Sequence, residues 1–122
     1  GPIYFTVIVP GDVVAIYDLK RLNERTVPIA GWVQERHLVF YESGFLNRIT
    51  NTPAGEFSPA KEVLGTFKPT GQDTIELQVE CWYEFPQCSP KGISATVRGS
   101  ELIVDESDFY GPWIEYYALR GL

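Results

Sequence analysis

The chain has no methionine, one histidine and two cysteines, and its acidic side chains outnumber the basic ones sixteen to ten. Each shortage excludes something. A single histidine, His37, rules out a two-histidine acid–base pair, and a serine triad would have to use it although no Gly-x-Ser-x-Gly elbow occurs. His37 follows Gln34-Glu35-Arg36 at the start of an apolar run, where a histidine with a structural hydrogen bond is the ordinary finding. Two cysteines at wide spacing, with no histidine beside them, cannot complete a tetrahedral zinc site or a redox Cys-x-x-Cys. A net charge of −6 has the wrong sign for neutralising phosphates, so nucleic acid is not an expected partner. The apolar runs, Leu38 to Tyr41 among them, fall far short of the roughly eighteen residues a membrane-spanning helix needs.

Without a methionine, position 1 is not a translation start. Gly1-Pro2 reads as the scar of a removed tag, and the natural protein is expected to have lost a signal peptide or to have been cut from a longer chain. The cysteines and the aromatic-rich composition favour a secreted, extracellular protein. No Asn-x-Ser/Thr sequon is present to add support.

What the sequence does have is the composition of one globular core over residues 1–122, with no repeat, linker or charge block to divide it. The clearest periodicity runs from Thr74 to Phe85, where Ile75, Leu77, Val79, Cys81, Tyr83 and Phe85 alternate with Glu76, Gln78, Glu80, Trp82 and Glu84. Such alternation marks a half-buried strand. Shorter strands are expected at Ile3 to Val9, Val13 to Tyr17, Ile29 to Val33, His37 to Tyr41, Ile93 to Val97, Leu102 to Val104 and Trp113 to Leu119, separated by Gly- and Pro-containing turns. Gly99 supplies the positive φ of a tight hairpin between Val97 and Leu102. The pattern predicts an all-β antiparallel sandwich or barrel of about eight strands. One short helix is expected after Ser58, capped by that serine, started by Pro59, carried by Lys61, Glu62, Val63 and Leu64, and ended by Gly65. Asp18 to Arg25, with Leu19 and Leu22 at helical spacing, is either a second helix or a charged loop.

Several groups could carry chemistry. Cys81 and Cys88 are read as a local disulfide, worth roughly 2–3 kcal/mol in the chain-entropy account, with Pro86 breaking the strand so that the two sulfurs can meet. The stapled loop would present Trp82, Tyr83 and Phe85 as rigid anchors, or else clip the end of a core strand. Asp105-Glu106-Ser107-Asp108 offers hard oxygen ligands, Asp105 and Asp108 ahead of Glu106, for a calcium ion, against the plainer reading of solvated charge. Glu76, Glu80 and Glu84, on one face of the long strand, are the best candidates for a catalytic carboxylate pair, and equally the solvated side of a sheet. Phe109, Tyr110 and Trp113 belong to a dense aromatic group near the C-terminus. Lys20, Arg21 and Arg25 form the one local basic cluster, interleaved with Asp18 and Glu24, and read as a solvated segment.

Without a catalytic constellation, and with aromatics in surplus, the expected function is that of a small secreted recognition protein. It would bind a protein partner in the manner of an effector or toxin, or a carbohydrate in the manner of a lectin, through Trp82, Tyr83, Phe85, Phe109, Tyr110 and Trp113. No cofactor beyond calcium is implied. The alternatives are a small glycan-active hydrolase with paired carboxylates and an enzyme inhibitor using the stapled loop.

Overall fold

The computed structural model describes residues 11–31, 33–52, 61–79, 91–107 and 112–121. They form nine antiparallel strands: β1 (Val13–Leu22), β2 (Arg25–Thr26), β3 (Glu35–Tyr41), β4 (Phe45–Asn51), β5 (Lys61–Pro69), β6 (Thr74–Val79), β7 (Lys91–Arg98), β8 (Glu101–Asp105) and β9 (Ile114–Leu119). Each strand from β3 to β8 pairs with the next, and β1 pairs with both β3 and β9, so eight strands close into an up-and-down barrel with β2 as a short outer addition to β1. Closure removes the open edges that a flat sheet of this length would expose. No helix among the described residues is long and apolar enough to cross a membrane.

Alternation decides which residues enter the barrel. Leu38 and Phe40, Leu77 and Val79, Ile93 and Ala95, and Leu102 and Val104 point inward and are buried. At one end Phe40 meets both Tyr17 and Phe67 edge to face, with centroids 5.6 and 4.9 Å apart, the geometry favoured by ring quadrupoles. The outer face of β1, β3 and β4 carries a second buried cluster of Val39, Tyr41 and Ile49 with Ile16 beside it. The first half of the long periodic segment appears as β6, Thr74–Val79, with Ile75, Leu77 and Val79 inward and Glu76 exposed, while 80–85 lie outside the described residues.

Three expectations need correction. Lys61 to Gly65 is the first half of β5, not a helix, while Ser58 and Pro59 lie outside the described residues. Gly65 is needed for a reason unrelated to capping: a Cβ there would stand 2.3 Å from the backbone oxygen of Gln78 on β6. Asp18 to Arg25 is no helix either. A register shift between Leu19 and Arg21 leaves Lys20 as the extra residue of a β-bulge, so that Leu19 and Leu22 both face the core three positions apart. Ile29 to Val33 is a bend closed by an isolated bridge, Ile29 N donating to Val33 O at 2.7 Å, with Gly31 at φ +76°. Residues 3–9 lie outside the described residues. The Val97 to Leu102 hairpin forms as expected, with Gly99 at φ +63°.

The two ends of the barrel differ. At one end strands are joined by the brief connections 42–44, 70–73 and 99–100, and at the other by 23–34, 52–60, 80–90 and 106–113.

Substituting Gly65→Ala is expected to destabilise the fold by about 2–4 kcal/mol in urea unfolding, because the new methyl must push β5 off β6. A loss under about 0.5 kcal/mol would show that this crossing is not tight.

Candidate functional site

The long-connection end is where polar side chains enter the barrel. Arg36 on β3, Arg48 and Thr50 on β4, Glu106 just after β8, and Glu115 and Tyr117 on β9 all occupy inward positions and are buried. Glu115 is the hub. Its Oε2 accepts hydrogen bonds from Arg36 and from Trp113 Nε1, the latter at 3.1 Å, and its Oε1 accepts from the Tyr117 hydroxyl at 2.7 Å. Arg36 Nε also donates to Thr50 Oγ1 at 3.0 Å, so the guanidinium is shared between β4 and β9.

The two carboxyl groups respond to this environment in opposite directions. Burial pushes Glu115 upward, but Arg36 and Arg48, with hydrogen bonds from Tyr117 and Trp113, outweigh it and hold the group below the ordinary carboxylate range. Burial and the neighbouring charge of Glu115 push Glu106 up to about 8 against the arginines. Glu106 therefore favours its protonated form at neutral pH, while its Oε1 has no hydrogen-bond partner among the described residues. Burial and the like charge of Arg36 lower Arg48 to about 10. Near pH 7 the cluster thus holds two guanidinium charges and one carboxylate charge.

Outside the barrel, at the same end, a groove of about 540 Å³ lies between β1–β2 and the start of β9. Arg21, Asn23, Glu24 and Arg25 line one side, and Ile114 and Tyr116 the other. The bulge at Lys20 turns Arg21 outward, opposite Tyr116 in register, with its guanidinium 4.0 Å from the ring centroid. Asn23 adopts φ +53°. It is held there by Asn23 N donating to Ile114 O at 2.7 Å, Ile114 N donating to Asn23 Oδ1 at 2.8 Å, and Asn23 Nδ2 donating to Pro112 O at 3.0 Å.

Of the residues singled out from the sequence, Trp113 is half-buried on the Glu115 hub. Its backbone N–H donates to Ser107 Oγ at 3.2 Å. Asp105 is exposed, and the side chain of Ser107 together with its backbone N–H, which donates to Oδ1 at 2.9 Å, holds its carboxyl below the usual range. No group of three or more metal-ligating side chains occurs among the described residues. Trp82, Tyr83, Phe85, Cys81, Cys88, Asp108, Phe109 and Tyr110, with Glu80 and Glu84, lie outside the described residues. The connections that contain them join strand ends at the polar end of the barrel. His37 sits elsewhere, on the outer face, with Nδ1 2.6 Å from Asp18 Oδ1 and Nε2 3.4 Å from Glu35 Oε2. Arg120 grips Asp18 with Nε at 2.9 Å and Nη2 at 2.7 Å, so this cluster ties β1, β3 and the tail after β9 together across the seam of the barrel. It is a structural clasp.

Sequence reasoning missed Arg36, Arg48, Glu106 and Glu115 as a group. The available signal was phase: Arg36 is in step with Leu38 and Phe40, Arg48 with Leu46, and Glu115 with Tyr117. No protein-family model, curated protein or solved structure matches the chain, so its function is argued from this geometry.

Glu106 has a folded-state value above that of an unfolded glutamate, so its contribution to stability is complete below about pH 4.5 and is lost as pH rises through about 8. Glu106→Gln keeps the shape and a neutral polar group and removes the titration. The variant is expected to match the wild type near pH 5 and to exceed it by about 1–3 kcal/mol near pH 8.5 in denaturant unfolding. Parallel stability curves across that range would refute the assignment.

Proposed function

We propose that the protein is a non-catalytic recognition protein, exported from the cell, that binds a protein or carbohydrate ligand at the long-connection end of its barrel. The observation that carries this reading is the inequality of the two ends. The brief turns close the apolar end, whereas the long connections, which contain nearly all the aromatic residues singled out from the sequence, depart from strand ends braced by the Arg36–Glu115 cluster. A rigid base under variable connections is a common arrangement for binding sites, because the scaffold meets the entropic cost of holding contact residues in place. The Cys81–Cys88 disulfide would add to that rigidity, and the exposed groove beside Tyr116 extends the surface along the outer wall.

The hydrolase alternative draws on one observation, the opposed protonation of Glu106 and Glu115. Both oxygens of Glu115 are already hydrogen-bonded and both side chains are buried, which favours a bracing role over attack on a glycosidic bond.

Trp82→Ala combined with Tyr110→Ala is expected to abolish ligand binding while leaving the unfolding transition intact. A glycan array, run with calcium and with a chelator, and affinity capture of a protein partner would both be compared with the wild type. Full binding by the folded double variant would overturn the reading, and binding unaffected by the chelator would discard the calcium site at Asp105 and Asp108.

A further inference from the structure

The outer wall of a closed antiparallel barrel is ordinarily the solvated face of its strands. β3 and β4 depart from that rule. With Leu38, Phe40, Leu46 and Arg48 facing the interior, alternation turns Val39 and Tyr41 of β3 and Asn47 and Ile49 of β4 outward, yet all four are buried, Val39 and Asn47 at 0% exposure. Ile16 of β1 is packed with them. Around this centre, Phe45, Val13 opposite Tyr41 and Leu64 opposite Asn47 are exposed. An apolar patch buried in its middle and open at its rim has a narrow cover running along it. The described strands form a single sheet, so none of them supplies a second layer. Asn47 adds a polar mark at the centre. Its Nδ2 donates to Glu62 Oε1 at 3.2 Å, while its buried Oδ1 has no hydrogen-bond partner among the described residues.

Three observations point to the segment that covers the patch. The first is where the chain enters. Gly11 has φ +95°, a Cβ on it would stand 3.0 Å from Ser43, and Glu42 N donates to Asp12 O at 2.7 Å, so residues 11 and 12 are fastened to the β3–β4 turn at one end of the patch. A Pro-Gly pair with the glycine at positive φ is the mark of a type II turn, which reverses the chain. The second is closure. β1 pairs with β3 on one side and β9 on the other, so the residues before it cannot join the sheet beside it, and the interior is filled by the core. The third is composition and reach. In Ile3-Tyr4-Phe5-Thr6-Val7-Ile8-Val9 every residue but Thr6 is apolar or aromatic. Extended, the segment spans about 23 Å, the length of the seven-residue strands β3 and β4. The connection 52–60 leaves β4 from the opposite end and has Phe57 as its one large apolar side chain.

We infer that residues 3–9, which lie outside the described residues, fold back at Pro10-Gly11 as an extended strap along the outer face of β3 and β4, seated on Val39, Tyr41 and Ile49. The strap braces from outside the two strands that present Arg36 and Arg48 inside, and it withholds an apolar face from other chains.

The full chain is tested by nuclear Overhauser spectroscopy on carbon-13-labelled methyl groups. Contacts are expected from the methyls of Val39 and Ile49 to side chains of residues 3–9, within one copy and absent from isotope-filtered spectra of mixed labelled and unlabelled protein. Contacts seen only between copies would give the cover to a second chain, and contacts to 53–60 would give it to that connection. Either result, or no contact to residues 3–9, would overturn the inference. A variant lacking residues 1–9 is expected to melt about 5 °C or more below the full chain. Ile49→Thr is expected to lower the melting temperature of the full chain by a similar amount and that of the shortened chain by less than about 2 °C, because the strap and Ile49 act on each other. Equal melting of the shortened and full chains would also overturn the strap, and where the shortened chain does not fold, the methyl contacts of the full chain decide.

Discussion

Glu115 is fully buried, and both of its oxygens are taken: Oε2 by Arg36 and Trp113, Oε1 by Tyr117. The ion pair with Arg36 joins β9 to β3, two strands that flank β1 without pairing with each other. Backbone pairing closes the barrel along the wall, and this contact closes it again through the interior. Removing one partner of such a pair costs about 3–5 kcal/mol because it strands the other charge, whereas an apolar replacement of both can be neutral. The pair is therefore better understood as a device that fixes which strands meet than as a source of net stability.

The cluster also divides the interior into two chemistries. Away from it, Tyr17, Phe40 and Phe67 pack edge to face beneath the brief turns, and hydrophobic burial does the stabilising. Toward it, Arg36, Arg48, Glu106 and Glu115 share a space too dry to ionise every group, and one carboxyl keeps its proton. Two guanidinium charges against one carboxylate leave a cationic interior under a surface that is acidic overall.

The all-β class was readable from the sequence because β6 and the Gly99 hairpin obey strand and turn rules without interference. The strands that were not readable each carry a functional or geometric exception. β4 hides behind Asn47, Arg48 and Thr50, polar residues whose burial follows from tertiary contacts that spacing alone cannot show. β5 hides because Lys61, Glu62 and Leu64 are good helix formers and Gly65 resembles a helix terminator, when its role is to let two backbones pass closely. Leu19 and Leu22 mimic helical spacing because a bulge shifts the strand's phase by one residue. In each case local preference loses to a contact made with a distant part of the chain. The aromatic surplus was legible as composition, but the one of those residues that the structure describes at the site, Trp113, serves the buried hub with its indole N–H, a role that aromatic content could not reveal.

A pair of carboxyl groups with opposed protonation is also the mark of an acid–base catalyst, and the difference lies in what surrounds it. A catalytic pair needs one group free to give its proton to a ligand and another free to receive or attack. Here three donors are already on Glu115, and Glu106 is buried beside it. Among the described residues, the outer groove at this end leaves polar groups accessible, with Arg21 stacked on Tyr116 and Asn23 pinned against 112–114. By holding β9 in place, the interior ion pair also sets the position from which Tyr116 and Ile114 form one wall of the outer groove.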